Sequence, residues 1–191
     1  MKKCFWVLLF ISFMCVLKVK GQVVIYKTYD DFLNSKGENY DSYEYEDAFS
    51  APGIITLIFK GNDKKLRINP KNIWGFTQKT DLYRIFDGKH PVWAEFKGKK
   101  IIYYSNGYEH MHPYHRALEQ EGYCFLSKDL SADIIKIPSR KKKYDAFVKE
   151  NPEYKSLFDC VNQKCKYPTI KSYYLSRDCA QEFEAQFEDK K

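Results

Sequence analysis

Between Asn72 and Gly88 the chain alternates large apolar and polar positions around a polar centre, Thr77-Gln78-Lys79-Thr80-Asp81, and closes on a second turn at Asp87-Gly88. A period of two sends successive side chains to opposite faces of a strand, so this stretch predicts a hairpin of two aromatic-rich strands. Trp74 and Phe76 are expected on one face, with Gly75 between them marking a bulge or a close backbone approach. On the return strand Tyr83 and Ile85 share one face, and Leu82, Arg84 and Phe86 the other. Arg84 is the member that a plain core does not explain. It is expected either to pair with an acid at the sheet edge or to hold an anionic ligand.

The same pattern recurs on both sides of this hairpin. Val23-Val24-Ile25-Tyr26-Lys27 is β-branched and apolar and predicts the first strand. Thr28 can cap a short helix over residues 29–34, with Asp30 and Asp31 in the first turn, and Gly37 is expected to end it. Residues 38–50 are acidic and rich in tyrosine and read as a loop or an edge strand. Residues 54–59 predict a clear strand, turned by Gly61-Asn62-Asp63 toward residues 65–68, and Asn69-Pro70 breaks the pattern. Residues 92–96 and 101–104 predict a further hairpin joined by Lys97-Gly98-Lys99, where Gly98 is expected to supply a positive φ. Beyond Asn106-Gly107, residues 113–121 read as a short helix, and residues 123–126 and 134–137 as strands. Short turns between consecutive strands make an antiparallel meander the simplest topology.

After Pro138 the period changes to that of a helix. Tyr144, Phe147 and Val148, and then Tyr154, Leu157, Phe158 and Val161, recur at helical spacing, with Asn151-Pro152 as a cap and first turn. In the last segment Ile170, Tyr173 and Tyr174 share one face, whereas Cys179, Ala180, Phe183 and Phe187 lie on roughly the opposite one. This predicts a break near Ser176, which could cap the final helix. The expected fold is α+β: an antiparallel β-meander in residues 23–137, followed by C-terminal helices packing on one face. Residues 22–191 are expected to form one domain, sheet-rich over 22–137 and helical over 138–191.

The N-terminus changes the composition. Lys2 and Lys3 precede an apolar run of 14 residues, Cys4 to Leu17, shorter than the roughly 20 that a membrane-spanning helix needs. A basic tip before a short apolar core is the pattern of a secretory signal peptide over residues 1–21. Val19 and Gly21 place the cut between Gly21 and Gln22. Lys18 and Lys20 are unusual there and leave an uncleaved N-terminal anchor as the alternative. Phe13 and Met14 before Cys15 do not suit a lipoprotein. Export through the Sec pathway to the periplasm, the cell surface or the medium is expected, with no transmembrane helix in the mature chain. Removing residues 1–21, with four lysines and no acid, lowers the net charge from +7 to +3. Such a balance gives no reason to expect nucleic acid.

Cys124, Cys160, Cys165 and Cys179 remain after the cut. In an oxidising compartment they predict a disulfide, Cys160 or Cys165 with Cys179. Free thiols and a zinc site are the competing readings, the latter without paired Cys-x-x-Cys spacing to support it. His110-Met111-His112-Pro113-Tyr114-His115 is the histidine cluster. His110 and His112 would point one way on an extended segment, His115 could swing in, and Glu109 stands alongside. The competing reading is a solvated loop. Arg140-Lys141-Lys142-Lys143 could meet anionic lipid or polysaccharide, against a solvated helix start. The chain holds no Gly-x-Ser-x-Gly elbow, no His-Glu-x-x-His, no phosphate loop and no dinucleotide fingerprint.

Tyr26-Lys27-Thr28-Tyr29-Asp30-Asp31-Phe32, Ile73-Trp74-Gly75-Phe76, Leu82-Tyr83-Arg84 and Tyr123-Cys124-Phe125-Leu126-Ser127-Lys128-Asp129-Leu130 occur in this order. Together they resemble a family of small uncharacterised exported proteins of Bacteroidota, over about residues 24–137. The resemblance implies no activity and no functional residues. The histidine cluster and the C-terminal cysteines are not part of that pattern. The expected function is a non-enzymatic exported domain that binds a protein partner or a small-molecule ligand, with no cofactor. The alternative is a metal-dependent enzyme or metal-binding protein using His110, His112 and His115.

Overall fold

A computed structural model of the chain describes residues 23–47, 55–61, 64–106, 124–138, 141–164 and 170–187. In chain order the elements are β1 (Val23–Tyr26), α1 (Tyr29–Leu33), β2 (Glu38–Tyr40), β3 (Ser42–Asp47), β4 (Ile55–Gly61) and β5 (Lys64–Ile68). A 3-10 turn (Pro70–Asn72) leads to β6 (Gly75–Gln78), β7 (Asp81–Phe86), β8 (His90–Lys97), β9 (Ile102–Ser105), β10 (Cys124–Ser127) and β11 (Ile135–Lys136). Then come α2 (Lys141–Glu150), a 3-10 turn (Pro152–Tyr154), α3 (Lys155–Lys164) and α4 (Ile170–Ala185). The class is α+β, with antiparallel strands first and helices at the C-terminal end.

Eight strands form one sheet in the order β11-β10-β9-β8-β7-β6-β1-β2, and β3-β4-β5 form a second, three-stranded one. From β6 to β11 the chain is the expected meander. Before β6 it is not: β1 pairs with both β2 and β6, and β3–β5 leave for the small sheet. The reason is cover. A sheet with apolar side chains on both faces needs a layer on each. Leu57 and Phe59 of β4, with Tyr43, Leu66 and Ile68, supply it over Val23, Ile25, Phe76 and Tyr83. Beside this contact, on the same face, Ile101, Tyr103, Cys124 and Leu126 pack under Leu157, Phe158, Val161, Ala180 and Phe183 of the helices. The opposite face carries Leu82, Val92, Ala94, Ile102, Tyr104 and Phe125, with Phe32, Trp74 and Leu130 against them.

Turn chemistry sets the register of the central hairpins. Lys79 (φ 55) joins β6 to β7, and Asp87 (φ 52) followed by Gly88 (φ 62) joins β7 to β8. Consecutive left-handed residues give a turn whose twist matches that of the flanking strands. Tyr83 and Ile85 face the small sheet, and Leu82 and Phe86 face the other way, as their alternation predicts. β8 carries a bulge between Ala94 and Phe96. Before it Trp93 faces the small sheet, and after it Phe96 faces the helices.

Four local expectations are corrected. Trp74 and Phe76 do not share a face: Phe76 packs with Tyr83, whereas Trp74 joins the opposite cluster. The strand begins at Gly75, and Trp74 is still turning in, its N–H donating to the Tyr26 carbonyl at 3.0 Å. Gly75 is a close approach, because a Cβ there would stand 2.4 Å from the Tyr83 carbonyl oxygen. The short helix ends at Asn34 rather than at Gly37, with Ser35 (φ 53) taking the left-handed position. Gly98 is absent from the positive-φ residues; its role is described below. Finally, α4 runs unbroken through Ser176. Ser176, Cys179, Ala180, Phe183 and Glu184, at i, i+3, i+4, i+7 and i+8, are all buried, so Ser176 belongs to the inward stripe and caps nothing.

The helices bury what their spacing predicts, with Tyr154, Leu157, Phe158 and Val161 all inside. Each such side chain contributes about 1.5–3 kcal/mol. Cys160 of α3 and Cys179 of α4 are joined by a disulfide. Cys165 lies outside the described residues. Among the described residues no helix is long and apolar enough to cross a membrane.

Between the two sheets, Phe76 stacks on Tyr83 at 4.9 Å, and Tyr43 meets Phe76 at 4.6 Å. Burial pushes the phenols of Tyr43 and Tyr83 above their ordinary value of 10, and the two rings lie 5.8 Å apart. The folded state therefore holds these protons more tightly than the unfolded one. The stability that depends on them is complete below pH 10 and falls as pH rises through and past that value. Thermal melts across this range should show a steeper alkaline loss for the wild type than for Tyr83→Phe. Equal slopes would remove the pair from the account.

Candidate functional site

Alternation along β7 sends Arg84 to the face opposite the small sheet, between Gly75 of β6 and Val92 of β8 in register. The residue is only 7% exposed. Its guanidinium carbon lies 4.8 Å from the centroid of the Trp74 ring, and Nη1 donates to the Ala132 carbonyl at 3.1 Å. The Nε–H makes no hydrogen bond. Among the described residues no carboxylate forms an ion pair with it, so the expected acid at the sheet edge is not found there.

That combination is costly. A guanidinium is charged at every accessible pH. A buried charge without a counter-ion costs several kcal/mol, which a neutral carbonyl and a ring face offset only in part. Tyr104 stands close by. Burial raises its phenol pKa, while a 2.9 Å hydrogen bond with Ser127 Oγ and the charge of Arg84 act in the opposite direction.

The segment that supplies the Ala132 carbonyl is itself fixed. Asp129 Oδ1 accepts hydrogen bonds from Ser131 N–H (2.8 Å), Ser131 Oγ (2.6 Å) and Ala132 N–H (2.9 Å). Ser127 Oγ donates to the Asp129 carbonyl at 2.7 Å. The Ser131 hydroxyl and amide, then the Ala132 amide, hold the Asp129 carboxyl below its ordinary range. These bonds build a local turn in place of regular structure.

Trp74 also belongs to an aromatic platform. Thr28 and Asp31 form a reciprocal capping box that starts α1, each side chain accepting from the other's backbone N–H. This start sets Phe32 4.8 Å and Tyr29 5.4 Å from the Trp74 ring. Tyr29, Phe32 and Trp74 are each half-buried. Leu33 beside them is 59% exposed. A buried cation beside half-buried aromatic rings is an arrangement that can take a planar anion with an apolar body.

A second buried ionisable group sits on α4. The Glu184 carboxylate, 3% exposed, accepts backbone N–H groups from Lys99, from Lys100 (2.8 and 3.1 Å) and from Ile101 (3.3 Å). These are the donors of the β8–β9 turn. A Cβ on Gly98 would stand 2.4 Å from the Glu184 side-chain carbon Cδ, so the glycine is needed for room and not for its φ. With its oxygens engaged by the main chain, Glu184 is a pin between helix and hairpin. Its sequence signal was an acid set in the inward stripe of α4, one residue after Phe183.

No protein-family model, curated protein or solved structure matches this chain. The functional reading therefore rests on the residues themselves. His110, His112 and His115 lie outside the described residues, as do Glu109, Arg140, Gly21 and Gln22. Among the described residues one set of potential metal donors converges, Cys160, Cys179 and Glu182. Its two sulfurs are bonded to each other, and Glu182 pairs with Lys164 at 2.6 Å, so neither thiolate is available.

Proposed function

We propose that this chain is an exported, non-enzymatic binding domain of the periplasm or cell surface. It belongs in this reading to the small exported Bacteroidota proteins that its sequence resembles, and it binds a ligand or protein partner there. It leaves through the Sec pathway and is cut between Gly21 and Gln22. The observation that carries the reading is the Cys160–Cys179 disulfide. Such bonds persist in oxidising compartments and are rare where thiols are kept reduced. The N-terminal basic tip and short apolar run support the same direction.

Cell fractionation with intact-mass analysis tests it. The expected product is a chain beginning at Gln22 in the periplasmic or surface fraction, with Cys160 and Cys179 resistant to alkylation until reduced. A soluble cytoplasmic chain that still begins at Met1 and alkylates at both cysteines would overturn it.

A further inference from the structure

We propose that Arg84 is the anchor for a ligand carboxylate, and that the ring or apolar body of that ligand lies on Tyr29, Phe32 and Trp74. The proposal rests on the binding reading above and names the ligand class. Three features of the molecule carry it.

First, Arg84 is only 7% exposed and its guanidinium has no carboxylate partner among the described residues. An anion that enters from outside completes this charge, as the neutral Ala132 carbonyl, Trp74 ring and Tyr104 hydroxyl cannot. Second, the unused donor is the Nε–H, while Nη1 is held by Ala132. The Nε side of a guanidinium is an edge that meets a carboxylate in two parallel hydrogen bonds. Third, the neighbourhood suits one negative charge and not two. A single guanidinium serves the position, and the exposed Asp129 accepts from the amide of Ala132, the residue whose carbonyl Arg84 meets. A phosphate dianion would meet that carboxylate with one negative charge more than a carboxylate ligand brings. The half-buried rings of Tyr29, Phe32 and Trp74 then select an apolar or aromatic body attached to the carboxylate.

The purified protein is titrated with phenylacetate, with phenylacetamide as the neutral isostere, and with inorganic phosphate. Binding is followed by tryptophan fluorescence and thermal shift. The expected result is saturable binding of phenylacetate, with phenylacetamide and phosphate weaker by about tenfold or more. Arg84→Met should lose that binding and melt at or above the wild-type temperature, because removing an uncompensated buried charge does not destabilise. Arg84→Lys, which keeps the charge without the Nε edge, should also lose about tenfold or more in affinity. Equal binding of acid and amide, phosphate binding as tight as phenylacetate, or no saturable phenylacetate binding overturns the proposal. So does an Arg84→Met protein that melts well below wild type, or a folded Arg84→Lys protein that binds phenylacetate as tightly as wild type. The two readings fail separately. An unprocessed cytoplasmic chain that still binds phenylacetate through Arg84 removes export alone, and an exported chain that ignores phenylacetate removes this site alone.

Discussion

Glu184→Ala is expected to lower the free energy of unfolding by about 3 kcal/mol, since a buried donor left unpaired costs about 1–3 kcal/mol. Three backbone N–H groups lose their acceptor at once. Ile101 is fully buried, whereas the Lys99 and Lys100 side chains are exposed and water can reach that end of the turn. The cost is therefore less than three full penalties. For a chain of this size each kcal/mol moves the midpoint roughly 2–4 °C, so the melt should fall by about 6–12 °C. Urea unfolding of the two proteins measures it directly. Gly98→Ala should do comparable damage by another route, because the new methyl occupies the space of the Glu184 carboxylate. The two changes break one contact, so the double variant should be less destabilised than the sum of the singles. Simple additivity would mean that the glycine and the acid act independently.

Removing the crosslink is the second large effect. Cys160 and Cys179 are 19 residues apart in sequence, and the chain-entropy relation for a loop of that length gives about 3 kcal/mol. Cys160→Ser with Cys179→Ser should therefore shift the urea midpoint down by an amount similar to Glu184→Ala. Both bonds hold α4, one to α3 and one to the β8–β9 turn. The helix with Phe183 on its inner face is then the first region to be released in either variant, and amide exchange in residues 170–187 should rise before exchange in β6–β8. Unchanged exchange there would contradict this order.

Much of this was legible from residue order, for identifiable reasons. Period-two alternation placed Leu82, Tyr83, Arg84, Ile85 and Phe86 on their correct faces, since a strand offers only two choices. Tyr154, Leu157, Phe158 and Val161 were legible because a helix repeats its inward stripe. The separation of β3–β5 into a second sheet was not, because local pattern does not say which apolar face will cover which. Trp74 was misplaced because the strand was extended one residue too far, and alternation applies only inside a strand. Glu184 and Gly98 are 86 positions apart in sequence, and no local rule couples a turn glycine to a helix carboxylate. For the site, the oddity of Arg84 was visible, but its partners were not. Ala132 and Tyr104 reach it only through the sheet order, and Tyr29 and Phe32 only through the start of α1 beside Trp74.

The bulge in β8 has a consequence for how this chain can change length. On either side of it Ala94 pairs with Tyr104 and Phe96 with Tyr103, neighbours on β9, so the register steps over Glu95 there. A chain lacking that single position would pair without interruption, and Trp93 and Phe96 would keep the faces they now occupy. Insertions and deletions inside a central strand ordinarily turn its remaining side chains inside out. Here the frame has already absorbed one, and the strand can lose it again without reversing a face.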